Sequence, residues 1–220
     1  GKTTTSYLVK AILEASGARV GLLGTVVYEI GRRQVPSTNT TPGVLELQRY
    51  FAQMVEQGLG WCVMEISSHA LDQGRIDGVQ LDAAIWTCLG SDHLDYHKTL
   101  EAYAAAKRRI FSYLKPQGRA VINADDAVGR RVAQGLDPAV VLTYGTEGPA
   151  QIHARTIECT WQGLTLALET PWGTIPLYTS MIGRHNIPNI VAACGTCLAL
   201  GVPVSAVQRA LANVAQVPGR

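Results

Sequence analysis

The sequence has no long apolar run. No stretch approaches 18 uninterrupted apolar residues, which leaves no candidate for a membrane-spanning helix. It has no marked charge of one sign either. Nineteen Lys and Arg stand against seventeen Asp and Glu, a formal charge of +2, with no long basic run. A dedicated nucleic-acid binder or membrane-surface protein is therefore not expected. There is no initiator methionine, and no signal peptide is read at the start. Cysteine is scarce and odd in number, with Cys62, Cys88, Cys159, Cys194 and Cys197, so a disulfide framework is not expected. Cys194 and Cys197 form a C-x-x-C pair inside the apolar run 190–200, which reads as a helix interior. Buried small residues are the expectation there, rather than a redox or zinc pair. Repeats and low-complexity segments are also missing.

The 220 residues that are present are 47% hydrophobic and 16% charged. That is enough to bury a sizeable core, as one large domain or two small ones. Apolar spacing at Leu8, Ala11, Ile12 and Ala15 predicts a helix over 3–16, ended by Gly17. A strand over 20–25 and a hairpin over 26–35, turning near Gly31, follow. Pro42 opens a second helix with Val44, Leu47, Phe51 and Met54 on one face, Thr41 is its expected N-cap, and Gly58 stops it. Strands are predicted over 61–66 and 82–88, a helix over 100–114 closed by Pro116 and Gly118, a strand over 120–123, a helix over 127–134 and a strand over 139–144. Alternating β and α segments with near-continuous apolar strands predict an α/β fold, a mostly parallel sheet flanked by helices. From 152 to 178 three strand-like segments turn at Gln162-Gly163 and Pro171-Trp172-Gly173, which predicts a small antiparallel sheet at about 151–180. Helices over 186–200 and 204–214 close the chain.

Gly1-Lys2-Thr3 has the ending of a G-x-x-x-x-G-K-[ST] phosphate loop, placed directly before a helix. In such a loop backbone N–H groups cradle phosphates, the lysine reaches the β and γ oxygens, and the hydroxyl binds Mg²⁺. The tripeptide alone is a weak signal. Glu65 strengthens it, because it stands at the carboxyl end of an apolar strand, where ligands bind in open α/β sheets. A carboxylate there needs a partner, either Mg²⁺ or a nearby Lys or Arg. His93 and His97 are four apart, a spacing compatible with zinc on a helix, although a loop of capping and hydrogen-bonding side chains is the plainer reading. Lys107 falls within the apolar stripe Leu100, Tyr103, Ile110, Phe111 and Leu114, while Arg108 and Arg109 point toward solvent. A lysine on such a stripe either snorkels or has a task. Burial lowers an amine's pKa and makes it nucleophilic, and a neutral amine can add CO₂ to give a carbamate. Asn39-Thr40-Thr41-Pro42 reads as a cap that could also meet an anion. Arg75 could clamp a carboxylate or phosphate, with Ser67, Ser68, His69 and Gln73 close by in sequence.

The blocks GKTTT, NTTP, MEISSHALDQGR, DHLDYH, EAYAAAKRRIF, INADD, GRHNIPN and VPGR run in order from Gly1 to Arg220. Together they make the chain resemble the central ATPase domain of a Mur ligase. EISSHAL followed by DHLDYH is the most specific part, and points to the branch that adds a diamino acid to UDP-MurNAc-L-Ala-D-Glu. The resemblance implies a P-loop-type fold, with 1–216 as the ATP-binding domain truncated within its phosphate loop and 217–220 as the start of a linker. It implies that Gly1, Lys2, Thr3 and Thr4 hold ATP, with Asn186 and Asn189 near the adenine. It implies two Mg²⁺ ions held by Thr3, Glu65, His93 and Lys107, the last as N6-carboxylysine, and catalytic roles for Lys2, Lys107 and His93. Asn39, Thr40, Thr41, Ser67, Gln73 and Arg75 match substrate-binding positions. The implied reaction is ATP-dependent peptide-bond formation through an acyl phosphate, in peptidoglycan synthesis. The implied protein is cytoplasmic and monomeric, without nucleic-acid or membrane partners, and the fragment alone is expected to be inactive. Cys88, Ser91 and His185 depart from the usual Asn, Arg and Phe. Another ligase of the Mur or folylpolyglutamate synthetase kind, another P-loop phosphotransferase and a non-catalytic nucleotide-binding module are the competing readings.

Overall fold

The structure, a computed structural model, describes residues 1–90, 94–214 and 217. The chain opens with α1 (Lys2–Ala15), then β1 (Val20–Leu23), β2 (Val27–Ile30), β3 (Arg33–Pro36), α2 (Val44–Glu56), β4 (Trp61–Met64), α3 (Ser68–Asp72) and β5 (Leu81–Trp86). It continues with α4 (Leu94–His97), α5 (Leu100–Arg108), a 3₁₀ turn Arg109–Tyr113, β6 (Leu114–Asn123), α6 (Ala127–Gln134) and β7 (Val141–Gly145). The remainder is β8 (Ile152–Thr160), β9 (Gly163–Thr170), β10 (Gly173–Thr179), a 3₁₀ turn Arg184–Asn186, α7 (Ile187–Ala199) and α8 (Val204–Asn213). No helix among the described residues is long and apolar enough to cross a membrane.

The strands form two sheets, ordered β3-β2-β1-β4 and β10-β9-β8-β7-β6-β5. β1 runs parallel to β4, and β5 through β8 run parallel to one another. β8, β9 and β10 pair antiparallel, as expected, and β8 also joins β7 through Tyr144↔Ile152 and Gly145↔His153. The antiparallel strands therefore extend the parallel sheet. α1, α7 and α8 pack together over a core that includes Leu8, Ile12, Val121, Ile190 and Leu211. A second cluster lies under α2 and a third between β5, β6 and α6. Cys194 and Cys197 are fully buried in α7, and burial raises both thiols, Cys197 to about 12. All five cysteines are free.

Glycine ends the first two helices. Gly17 adopts φ +93° after α1, and the Ala18 N–H reaches back to the Leu13 carbonyl at 3.1 Å. Gly58, at φ +67°, lets the Leu59 N–H do the same to Met54 at 2.9 Å.

Four expectations need correction. α2 begins at Val44 with Gly43, not Thr41, as its N-cap, because the Thr41 hydroxyl is engaged elsewhere. The helix over 100–114 is α5 plus the 3₁₀ turn, and it stops well before Pro116. Pro116 and Gly118 lie inside β6, where the register with β5 jumps between Leu81↔Leu114 and Ala83↔Arg119, so they sit in a bulge and do not cap a helix. Leu100 is 48% exposed and is no part of the core. A further departure concerns β4. Its apolar run predicts an interior strand, yet all four residues are only half-buried. Among the described residues β4 pairs with β1 on one side and with no strand on the other.

Candidate active site

The candidate site lies where the carboxyl ends of β1, β4 and β5 meet the first turn of α1. Glu65, 3% exposed, follows β4 and is held from three sides. The Thr3 hydroxyl donates to its Oε2 at 3.0 Å, the Thr25 hydroxyl to the same oxygen at 3.1 Å, and the Thr25 N–H to Oε1 at 2.9 Å. Among the described residues no Lys or Arg forms an ion pair with it. Two hydroxyls and an anionic carboxylate are the hard oxygen donors that Mg²⁺ takes, so the residues present fit that ion. Thr25 is a site residue that the sequence reading missed. Its position depends on the pairing of β1 with β4, which brings residues forty apart into contact.

The first turn of α1 has no acidic residue and no side-chain cap. Gly1 sits beside the carboxyl end of β5, where a Cβ on it would lie 3.5 Å from the Thr87 hydroxyl. Thr3 and Thr4 are buried, Thr3 against Glu65. Asn189, on the first turn of α7, accepts from the Thr5 hydroxyl at 3.4 Å, so it stands against α1. Asn186 turns its side-chain N–H to the Ile182 carbonyl and organises the turn before α7.

Lys107 does not snorkel freely. Its ammonium donates to the Cys88 carbonyl and lies 4.7 Å from the Trp86 ring centroid and 5.5 Å from that of Tyr103. Burial, joined by repulsion from Lys2, lowers its pKa to about 8. Lys2, in the first turn of α1, adds its charge to the positive end of that helix, a combination suited to an anion. Trp86 and Tyr103 were not foreseen in this role. Trp86 is fixed in turn, its indole N–H donating to Asp126 at 2.7 Å. Arg108 and Arg109 are exposed, as expected, but each is tied down, to the Gly135 carbonyl and to Asp72 respectively.

The candidate substrate residues divide into two linked groups. The Thr41 hydroxyl, fully buried, donates to the Glu65 carbonyl at 2.9 Å and accepts from the Ser67 N–H at 3.1 Å. Arg75 donates to the Thr41 carbonyl at 3.1 Å and to Gln73 Oε1 at 2.8 Å. Ser67 also caps α3, accepting from the Ala70 N–H at 3.2 Å. Thr40 meets Thr25 hydroxyl to hydroxyl at 3.2 Å, and the Asn39 backbone is held by the Tyr28 hydroxyl. Thr41 thus locks the loop to the strand carrying Glu65, while Asn39 and Gln73 stay exposed.

His93, with Ser91 and Asp92, lies outside the described residues. His97 is buried, with Nε2 2.9 Å from the Ser68 hydroxyl and its ring stacked on Tyr103 at 5.1 Å. Among the described residues no group of three or more His, Cys, Asp or Glu is placed to hold a metal.

Comparison with known proteins gives a consistent picture. The Mur ligase middle domain matches residues 1–197. The UDP-N-acetylmuramoyl-L-alanyl-D-glutamate–2,6-diaminopimelate ligase of Geobacillus thermodenitrificans is 42% identical over 227 aligned positions, covering all of this chain and 46% of that protein. The protein of the same name in Geobacter metallireducens is 40% identical, with 44% of it covered. The chain spans a little under half the length of these curated relatives. Among solved structures, a ligase of the same name superposes with a TM-score of 0.88 at 33% identity, over the whole chain and 45% of that structure. A MurF from Acinetobacter baumannii superposes at 0.79 with 25% identity, over the whole chain and 45% of its own length. With the family's middle domain matched across nine-tenths of this chain, the chain belongs to the Mur ligase family.

Proposed function

We propose that the chain is the ATP-binding part of a ligase that joins a diamino acid to UDP-MurNAc-L-Ala-D-Glu. The observation that carries this reading is the buried Glu65 carboxylate, held by Thr3 of the GKT turn and by Thr25, with Lys2 on the same helix start. In this reading Lys2 and the first turn of α1 hold the ATP phosphates. Thr3 and Glu65 hold Mg²⁺, which supplies positive charge to the phosphate oxygens when bound. Lys2 offsets charge that develops as the γ-phosphoryl group passes to the D-Glu side-chain carboxylate, so catalysis here is positioning and electrostatics. The amine of the incoming amino acid then attacks the acyl phosphate, an amide forms and phosphate leaves. Thr41 bonds the Glu65 carbonyl, Thr40 meets Thr25, and Arg75, joined to the Thr41 carbonyl, keeps N–H groups beyond its two protein bonds for an anionic substrate.

Lys107 takes the role of a carbamate in this reading. An amine lowered toward neutral pH, in an aromatic setting, is suited to adding CO₂, which would turn a cation into an oxygen ligand. His93 would complete the metal ligands. Meso-diaminopimelate is the preferred diamino acid, since that is the amino acid in the names of the relatives. The protein would be monomeric and cytoplasmic.

The test is tripeptide formation by the longer protein with ATP, Mg²⁺, UDP-MurNAc-L-Ala-D-Glu and meso-diaminopimelate. Activity should fall at least about a hundredfold in Lys107→Ala and in Glu65→Gln, the scale of losing one transition-state interaction. Near-normal turnover in Lys107→Ala would remove the carbamate role, and absence of product from the wild type would remove the ligase reading.

A further inference from the structure

α3 is five residues long, little more than one turn, and a helix that short does not hold itself. Candidate substrate residues stand at both of its ends. Ser67 is its N-cap, Gln73 follows its last residue, and the Arg75 N–H returns to the Ala70 carbonyl at 2.8 Å. Where α3 sits therefore decides where these three side chains sit. Burial of Ala70 and Leu71 seats one face of it. Apolar burial is non-directional, so it does not by itself fix the rotation or the slide of a single turn.

Polar ties supply the rest, and two of them come from adjacent residues of α4. Tyr96 donates to Asp72 Oδ2 at 2.8 Å, at the last residue of α3 and on the surface. His97 reaches the first residue, with its Nε2 2.9 Å from the Ser68 hydroxyl. Ser68 is 5% exposed and His97 8%, so this bond is made away from water, where a lost partner is not replaced. The His97 ring is itself fixed, stacked on Tyr103 of α5 with the planes 17° apart and met edge-on by Tyr96. Tyr103 in turn stands beside the Lys107 ammonium. The chain then turns sharply into α5. Lys98 takes φ +68°, the one non-glycine residue at positive φ among those described, and the Thr99 hydroxyl caps α5 by accepting from the Ala102 N–H at 3.1 Å. A left-handed lysine directly after His97 is a local strain that the surrounding contacts hold in place.

We propose that His97 is a positioning residue of this site. Buried among α3, α4 and α5, it acts through Ser68 and not on the reacting atoms. It sets the start of α3, and with it Ser67, Gln73 and Arg75, against α5, which carries Lys107. The inference rests on the ligase reading, since it takes UDP-MurNAc-L-Ala-D-Glu as the ligand that those three residues hold.

Calorimetric titration of the longer protein with UDP-MurNAc-L-Ala-D-Glu and, separately, with ATP tests it, alongside tripeptide formation. His97→Phe keeps an aromatic ring on Tyr103 and loses the bond to Ser68. Its Kd for the dipeptide nucleotide should rise about tenfold, the scale of one hydrogen bond, while its Kd for ATP stays within about twofold of wild type. Ser68→Ala should show the same split, and the double variant should lose no more than either single one, because both changes remove one bond. His97→Gln, which keeps an amide near the place of Nε2, should bind the dipeptide nucleotide better than His97→Phe. An unchanged dipeptide Kd in His97→Phe, equal losses for both ligands, additive losses in the double variant, or a glutamine variant no better than the phenylalanine one would each overturn the proposal. If His97→Phe does not fold, Ser68→Ala decides by the same split, since alanine suits a helix. The expected split in a protein that makes no tripeptide would count against the ligase reading alone. Unchanged dipeptide affinity in variants of an active ligase would count against His97 alone, and a wild type that binds no dipeptide nucleotide would overturn both.

Discussion

Lys107 shows most clearly how the fold changes the chemistry of a single residue. Its place on an apolar stripe was legible, but spacing could not tell snorkelling from engagement. The deciding groups are Trp86, Cys88 and Lys2, which come from other elements. Folding lowers this amine from 10.5 to about 8, with burial as the larger cause and Lys2 the next. Between those two values the unfolded chain carries more protons on this residue than the folded one, so its contribution to stability rises as pH increases from about 8 to 10.5. Below that window the charged amine weighs against folding. The stability of wild type minus that of Lys107→Met, from urea unfolding of the longer protein kept free of CO₂ so that the amine is unmodified, should therefore increase across that interval. A difference that stays level or falls would contradict the burial described. Glu65 was legible for a related reason, since a carboxylate on an apolar strand stands out. Thr25 was not, because a threonine after a strand carries no signal until β1 is placed beside β4.

The elements that glycine and proline punctuate in the usual way were readable in the sequence. The predicted helix over 127–134 is α6, and the hairpin near Gly31 and the antiparallel run after 152 are present. Pro116 and Gly118 misled because a bulge uses the same residues as a helix stop. Thr41 misled because a hydroxyl before proline suits a cap, yet this one bridges two strand-end peptide groups. Asp126 is the joint between elements with the clearest consequence. It caps α6 by accepting from the Gly129 N–H at 2.9 Å and holds the Trp86 indole. Asp126→Ala should cost about 2–5 kcal/mol, one cap plus one hydrogen bond to a charged group, and Asp126→Asn should recover most of the cap. Denaturant midpoints of both variants check this, and an unchanged midpoint in the alanine variant would mean that the joint carries no stability.

For the whole molecule, an α/β fold with parallel strands was readable from the alternation of segments, and the family resemblance from the ordered motifs. That β4 and β5 each pair on one side only, among the described residues, was not, because hydrophobic periodicity reports which faces are covered and says nothing of which edges are paired. The near-neutral charge of +2 suits the proposed site, in which anions would be held by a few placed groups, Lys2 and Arg75 among them, rather than by a basic face. The central claim is that those groups serve transfer of phosphate to a carboxylate ahead of amide formation. It is tested most directly with the longer protein, ATP, meso-diaminopimelate and UDP-MurNAc-L-Ala-D-Glu whose D-Glu side-chain carboxylate carries ¹⁸O in both oxygens. Mass spectrometry should find one ¹⁸O in the released phosphate and one in the new amide. Unlabelled phosphate, released alongside a product that keeps its label or with no amide product at all, would contradict the account.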